Sequence, residues 1–237
     1  MFDFTDRVVM VTGATGNLGQ AVARTFANTN ASVVLVARSD ERIRQALPEL
    51  AASAKALIIP ADLMDAQSVQ TAVDAALSTF GRIDVLANTV GGYKAGTPVH
   101  ETPIDTWEFM LDLNARTAFL ISQAVIPSML AQGYGKIVHV ASRAGLQGGK
   151  NTAAYSAAKS AVIRLTESLS AELKHDGINV NCVLPGTIDT PQNREAMPKA
   201  KHDRWVAPEA IADVITFLAS DAARAIQGAA IPVYGRS

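Results

Sequence analysis

The chain is expected to fold as a doubly wound α/β structure, a parallel sheet of about seven strands with helices on both faces. Three observations carry this reading. Apolar stretches of strand length alternate with helix-length amphipathic stretches from Val8 almost to the C-terminus. The strand stretches are continuous in Val, Ile and Leu and do not alternate with polar residues, which marks a sheet buried on both faces. No composition break, repeat or low-complexity tract divides the 237 residues, so the rhythm runs through one domain, 1–237.

The elements follow in order. Val8–Val11 reads as a strand and Asn17–Asn28 as a helix, which Thr15 or Asn17 could cap. Ser32–Ala37 is the second strand. Asp40–Ser53 is helical, with Asp40 as its cap. Ala56–Pro60 is a strand, Asp65–Phe80 a helix and Ile83–Asn88 a strand. After a glycine-rich loop one long helix is expected from about Ile104 to Leu130. Lys136–Ser142 is the fifth strand, Ala153–His175 a helix and Ile178–Pro185 the sixth strand. Pro208–Ser220 is a helix, and "AAIPVYG" the last strand. One stretch breaks the rhythm: Gly186–Arg204, rich in Pro, Asn, Lys and Met, long for a loop and therefore expected to act as a lid, at about 186–207.

The first strand–helix turn, "TGATGNLG", explains what such a sheet is for. Glycines there let the backbone turn tightly and approach a pyrophosphate, which then meets the helix N-terminus. Gly13, Gly16 and Gly19 meet that need in the required strand–loop–helix context, so a Rossmann-type dinucleotide site is expected. At the end of the second strand, where a carboxylate would bind the NAD ribose, stand Ala37 and Arg38. A fixed positive charge there favours NADP(H), with NAD still possible. Arg38 could instead stack on adenine or face solvent, with Asp40 accepting from the ribose. No second basic residue lies inside the glycine loop.

Composition excludes other classes. Hydrophobic residues make up 49% and the net charge is −1, which argues for a sizeable core and against nucleic-acid or anionic-membrane partners. Cys182 is the only cysteine, so an intrachain disulfide is impossible and a reducing, cytoplasmic setting is expected. "MFDFTDR" lacks a signal pattern, and no run of about 18 apolar residues could span a membrane. His100, His139, His175 and His202 have no metal-ligand spacing; His139 reads as a packed core residue. Arg143 could meet an anionic substrate or form a subunit salt bridge.

"YSAAK" puts Tyr155 and Lys159 on one helix face, one turn apart. An ammonium beside a phenol favours the phenolate, which makes Tyr a workable proton donor and acceptor for a carbonyl/alcohol pair. Ser142 ends the fifth strand on the carboxyl edge, where ligands bind in such folds. It could hold a substrate oxygen or merely cap the next turn.

Taken together, "TGATGNLG", "ADLMD" (Ala61–Asp65), "ANTVGG" (Ala87–Gly92), "LNARTAF" (Leu113–Phe119), "IVHVAS", "YSAAK" and "VLPGTIDTP" (Val183–Pro191) resemble the short-chain dehydrogenase/reductase family over nearly the whole chain. The resemblance implies a catalytic set of Asn114, Ser142, Tyr155 and Lys159. Tyr155 would exchange the proton, Lys159 would lower its pKa and hold the nicotinamide ribose, Ser142 would place the substrate oxygen, and Asn114 would order a relaying water. From the sequence alone, Asn114 could equally be a buried, satisfied amide. The implied cofactor contacts are Gly13, Thr15, Gly16, Asn17, Leu18, Gly19 and Arg38, then Asp62 and Leu63 at the adenine end and Asn88 on the adenosine side. Tyr155 and Lys159 also contribute, and Pro185, Gly186, Ile188 and Thr190 face the nicotinamide. The family pattern departs at Asn17, which stands where the middle glycine usually falls, and at Asn88-Thr89-Val90, which replaces Asn-Ala-Gly. Leu184–Ala200 with Trp205 is similar to the lid of quinonoid dihydropteridine reductase, another family member.

The implied function is an NAD(P)H-dependent oxidoreductase acting on a small carbonyl or alcohol substrate. A dihydropteridine reductase-like C=N reductase and a non-catalytic NADP sensor are the alternatives. A homo-oligomer, tetramer or dimer, is expected. Ala154, Ala157 and Ala161 would form one contact face and "AAIPVYGRS" an edge-strand contact.

Overall fold

The structure, a computed structural model, describes residues 2–236; of the two terminal stretches read above, Met1 and Ser237 lie outside the described residues. The described strands are β1 (Val8–Thr12), β2 (Ser32–Ala37), β3 (Ala56–Pro60), β4 (Val85–Asn88), β5 (Gly135–Val140), β6 (Ile178–Pro185) and β7 (Ala230–Val233). They form one sheet in the order β3-β2-β1-β4-β5-β6-β7, with every pair parallel. The order reverses between β1 and β4. The loops after those two strands therefore diverge, and a crevice opens at the carboxyl edge.

Strand period two divides the core into layers. Val9 and Val11 of β1 point to one face, with Leu18, Val22 and Phe26 of α1 (Asn17–Ala27) and Ile211 and Ile215 of α9 (Pro208–Ala219). Val8 and Met10 point to the other. There they meet Val69 and Val73 of α4 (Ala66–Phe80), Ile121 and Val125 of α6 (Thr117–Gln132) and Leu169 of α7 (Ala153–Leu173). Both faces are covered, as the unbroken apolar strands require.

Several expected elements are corrected. The helix expected over 40–53 is two: α2 (Asp40–Ala46) and α3 (Pro48–Ala51). Pro48 disfavours helical backbone at Leu47, so the helix breaks there. Its cap is Ser39, whose hydroxyl accepts from the Arg42 N–H; Asp40 instead pairs with Arg44. Neither Thr15 nor Asn17 caps α1, whose N-cap is Gly16 with no side-chain bond. The long helix expected over 104–130 is α5 (Ile104–Leu111), a π turn (Asp112–Arg116), then α6. The cause is Asn114. Its side-chain amide donates to the Met110 carbonyl at 3.0 Å, the acceptor that an α-helix would give to its backbone N–H. The lid is not plain loop. It holds α8 (Pro191–Ala196) and is closed at its base, where Asp189 N–H donates to Val206 O and Val206 N–H to Thr187 O.

Two glycines set the crevice. Gly13 adopts φ +69°, and a Cβ on Gly19 would lie 2.1 Å from the Gly13 carbonyl oxygen. Gly19→Ala must therefore push α1 away from β1. It is expected to cost about 1–3 kcal/mol or more and to abolish dinucleotide binding. Thermal melts and dinucleotide fluorescence check this, and an unchanged melt would show that the approach is not tight.

Candidate active site

The glycine loop joins β1 to α1, and the first turn of α1 receives no side-chain cap. Its N–H groups and partial positive charge suit an anion. Close backbone approach without Cβ atoms and an uncapped helix start fit a dinucleotide pyrophosphate. Beside the loop, Thr15, Arg38, Ser39 and Arg42 line a cavity of about 570 Å³. Arg42, one turn after the Ser39 cap, was not singled out in the sequence, yet α2 brings it to the same cavity as Arg38.

The other implied contacts divide. Leu18 and Leu63 have buried side chains in the core layers, so only their backbone is available to a ligand. Asp62 is exposed, and its carboxylate accepts from the Met64 N–H. Asn88 is 2% exposed and its carboxamide is spoken for: it accepts from the Thr12 hydroxyl at 2.6 Å and donates to His139 Nδ1 at 3.2 Å. Its side chain thus ties β4 to β1 and β5. His139 then bonds the Ser122 hydroxyl through Nε2, and full burial, with Lys159 nearby, lowers its pKa to about 4. It is the packed core histidine expected.

At the lid base, Pro185 ends β6, Gly186 N–H donates to Val233 O, and Ile188 pairs with Val206. The Thr190 hydroxyl caps α8 by accepting from the Asn193 N–H. Asn17 donates through Nδ2 to Gln192 Oε1 at 2.8 Å, a direct tie between the glycine loop and the lid helix.

The four residues of the expected catalytic set converge. Ser142 lies two residues beyond β5 and opens a 3-10 turn, with its hydroxyl accepting from the Ala144 N–H. That hydroxyl also acts on the Tyr155 phenol, from α7, in the direction that favours the phenolate. The Asn114 carboxamide is buried in the π turn. It accepts from Gly92 N–H at 3.1 Å and donates to Gly92 O at 3.2 Å. Lys159, 4% exposed, donates through Nζ to Val140 O at 2.8 Å. Gly91, another residue that the sequence did not single out, sits between them. A Cβ there would lie 2.8 Å from Asn114 Oδ1 and 2.9 Å from Lys159 Nζ. The Thr89 hydroxyl, in place of the family's usual alanine, donates to Thr12 O at 2.6 Å and packs against Gly13 and Gly19.

Electrostatics depart from the expectation at one point. Burial raises the Tyr155 pKa, with the Ser142 hydrogen bond opposing and Tyr93 adding to the rise. The ammonium of Lys159 is not among the causes; its own pKa is lowered to about 8 by burial. Lys159 thus serves the strand β5 carbonyl here and is not yet the group that tunes the phenol. Arg143 lies over the Tyr234 ring at 5.2 Å. Among the described residues no group of three or more His, Cys, Asp or Glu could hold a metal ion.

Residues 7–201 match the family described as short chain dehydrogenase. Over 98% of its length the chain is 36% identical to a cis-4-hydroxycyclohexanecarboxylate dehydrogenase of Sinomonas cyclohexanicum, covering 96% of that protein. Over 97% it is 34% identical to a (2S)-[(R)-hydroxy(phenyl)methyl]succinyl-CoA dehydrogenase subunit of Thauera aromatica, again covering 96%. An NAD⁺-bound xylitol dehydrogenase superimposes with a TM-score of 0.90 at 29% identity, over 98% of this chain and 99% of that one.

The buried Lys159 makes stability depend on pH. A lysine in the unfolded chain keeps its proton to about 10.4, whereas the folded residue releases it near 8. Between these values the unfolded chain binds more protons, so this group's contribution rises with pH. It is fully present above about 10.4 and lost as pH falls through 8. Wild type is therefore expected to gain several degrees of Tm on Lys159→Met between pH 7 and pH 10. Parallel melting curves for the two proteins would show that the lysine titrates normally.

Proposed function

The chain belongs to the short-chain dehydrogenase family, and we propose that it is an NADP(H)-preferring oxidoreductase that interconverts a small carbonyl compound and its alcohol, with Tyr155 as acid and base. The observation that carries this reading is the convergence of Tyr155, Ser142, Lys159 and Asn114 beside the crevice at the glycine loop. Bound nicotinamide supplies or accepts the hydride. Tyr155 Oη then gives its proton to the substrate oxygen in reduction and takes it back in oxidation. The Ser142 hydroxyl holds the same oxygen. Lys159 and Asn114 stand on either side of the Gly91 backbone, where a water would return the proton from solvent. Both named relatives are dehydrogenases named for hydroxy compounds, which supports a CH–OH/C=O substrate over a C=N bond. A sensor protein would have no need of a phenol gathered with a serine, a buried lysine and a buried asparagine.

Arg38 and Arg42 on one cavity support the NADP(H) preference, since two guanidinium groups match a 2′-phosphate. Gly13, Thr15, Gly16, Asn17 and Gly19 would hold the pyrophosphate. Backbone at Leu18, Asp62, Leu63 and Asn88 would border the adenosine, and Pro185, Gly186, Ile188 and Thr190 the nicotinamide. We take 1–237 as one nucleotide-binding domain with a lid at about 186–207. The lone thiol of Cys182 is buried, in keeping with a reducing, cytoplasmic setting.

We also infer a homo-oligomer, tetramer over dimer. Trp107, Phe109 and Phe119 are 39%, 45% and 49% exposed on α5 and α6, apolar surface that a second copy would cover. Ala154 is 5% exposed and packs on Met110 of α5 within the chain, so the small-residue face of α7 is partly used internally.

Tyr155→Phe is expected to lower turnover by about 10²–10⁴-fold with dinucleotide affinity nearly unchanged. Retention of a tenth of the activity would sink the assignment. Arg42→Ala is expected to weaken NADPH binding by roughly 10–100-fold and leave NADH binding unchanged, and Arg38→Asp to make NADH the tighter ligand. Equal NADPH and NADH affinity in the wild type would refute the cofactor reading.

A further inference from the structure

Tyr93 is the residue that the proposed chemistry leaves unexplained. It is 68% exposed, yet its ring lies 4.8 Å from that of Tyr155, centroid to centroid, with the planes 82° apart. An exposed aromatic on a glycine-flanked loop has many solvent conformations, so its fixed place needs a cause. Both ends of its loop are tied. On one side Gly92 exchanges two hydrogen bonds with Asn114. On the other, Gly96 N–H donates to Asn151 O at 2.9 Å, and Asn151 Nδ2 donates to Gly96 O at 3.2 Å. Asn151 takes the left-handed φ of +60° to do so, a conformation uncommon outside glycine, two residues before α7. The loop that carries Tyr93 is thus strapped to the two elements that carry Asn114 and Tyr155.

The neighbouring loops each present an exposed apolar residue as well. β4, β5 and β6 are adjacent in the sheet. The loops leaving their carboxyl ends carry Tyr93, Leu146 and Met197, which are 68%, 56% and 41% exposed. Water is a poor partner for such a rim, and the perpendicular pair of tyrosines shapes one side of it into a corner with the Tyr155 phenol.

We propose that Tyr93 is a specificity-determining residue: its ring is the wall against which a carbocyclic or aromatic ring of the substrate packs, with the reacting carbon in that ring or attached to it. A flat or chair-shaped ring can lie along Tyr93 while its oxygen reaches Tyr155 Oη. An aromatic ring would add an edge-to-face or offset contact to plain area burial, and a saturated ring would bury its apolar face there. A polyol of similar size would strand its hydroxyl groups against the apolar rim without partners. This inference rests on the carbonyl/alcohol reading of the same site.

The test uses the full chain with NADPH and with NADH, on ketones paired by carbon number: cyclohexanone with 2-hexanone, and 4-oxocyclohexanecarboxylate with 6-oxoheptanoate. Wild type is expected to favour the cyclic member of each pair by about tenfold or more in kcat/KM. Tyr93→Ala should erase that preference by raising KM for the cyclic ketones, with open-chain turnover, dinucleotide affinity and Tm little changed. Tyr93→Phe should keep the preference. A wild type active on both members without preference overturns this inference alone. So does a Tyr93→Ala protein that keeps the preference or loses both activities equally. Absence of any turnover by the wild type would overturn the carbonyl/alcohol reading and this inference with it.

Discussion

The site depends on the pair of hydrogen bonds between the Asn114 carboxamide and the backbone of Gly92. Asn114 is 1% exposed, so its amide has no water to turn to and would cost about 1–3 kcal/mol if left unpaired. The helix yields to it. The chain opens into a π turn and Met110 O becomes its third partner. The loop after β4 is thereby fixed to the helical layer that carries Tyr155 and Lys159. Replacing this amide with an apolar group would release the β4 loop, the π turn and the space beside Lys159 together.

A second polar chain holds the sheet that supports this junction. The Thr12 hydroxyl, Asn88, His139 and Ser122 form a continuous buried series from β1 through β4 and β5 to α6. Each donor meets an acceptor when His139 is neutral with its proton on Nε2, and its lowered pKa keeps it neutral. The strands whose ends border the crevice are thus locked in register by side chains as well as by the parallel ladder. At that edge the 186–207 segment is closed at its base by Val206 and joined to the glycine loop through Asn17 and Gln192.

Much of this was legible in the residues. Continuous Val/Ile/Leu runs located the strands, and glycine spacing located the phosphate crevice, because both follow from local backbone chemistry. Tyr155 and Lys159 were readable as a helical pair. What was not legible depends on side chains competing with the backbone or on elements meeting late in space. The break at Asn114 needed a side-chain amide to displace a helical hydrogen bond. That the Asn88 side chain bonds Thr12 and His139 could not be read from the sequence, because nothing there says that β1, β4 and β5 will bring the three together. Arg42 falls outside the loop motif and reaches the cavity only because Ser39 starts α2 where it does. Pro48 was a signal that could have been used to split the helix after Ala46. Tyr93 became meaningful only once β4 and β5 were neighbours.

For Tyr155 to transfer the proton, its phenol must ionise more readily once the crevice is filled. Alone, its phenol is held above the ordinary value by burial, while Lys159 is occupied with Val140 O. The most direct measurement is the titration of Tyr155 by its ¹³Cζ resonance in tyrosine-labelled protein, which contains four tyrosines, with the signal assigned by Tyr155→Phe. The account predicts a pKa above about 10 in the free protein and a fall well below it once NADPH is bound. A phenol that stays above about 10 in the dinucleotide complex would contradict it.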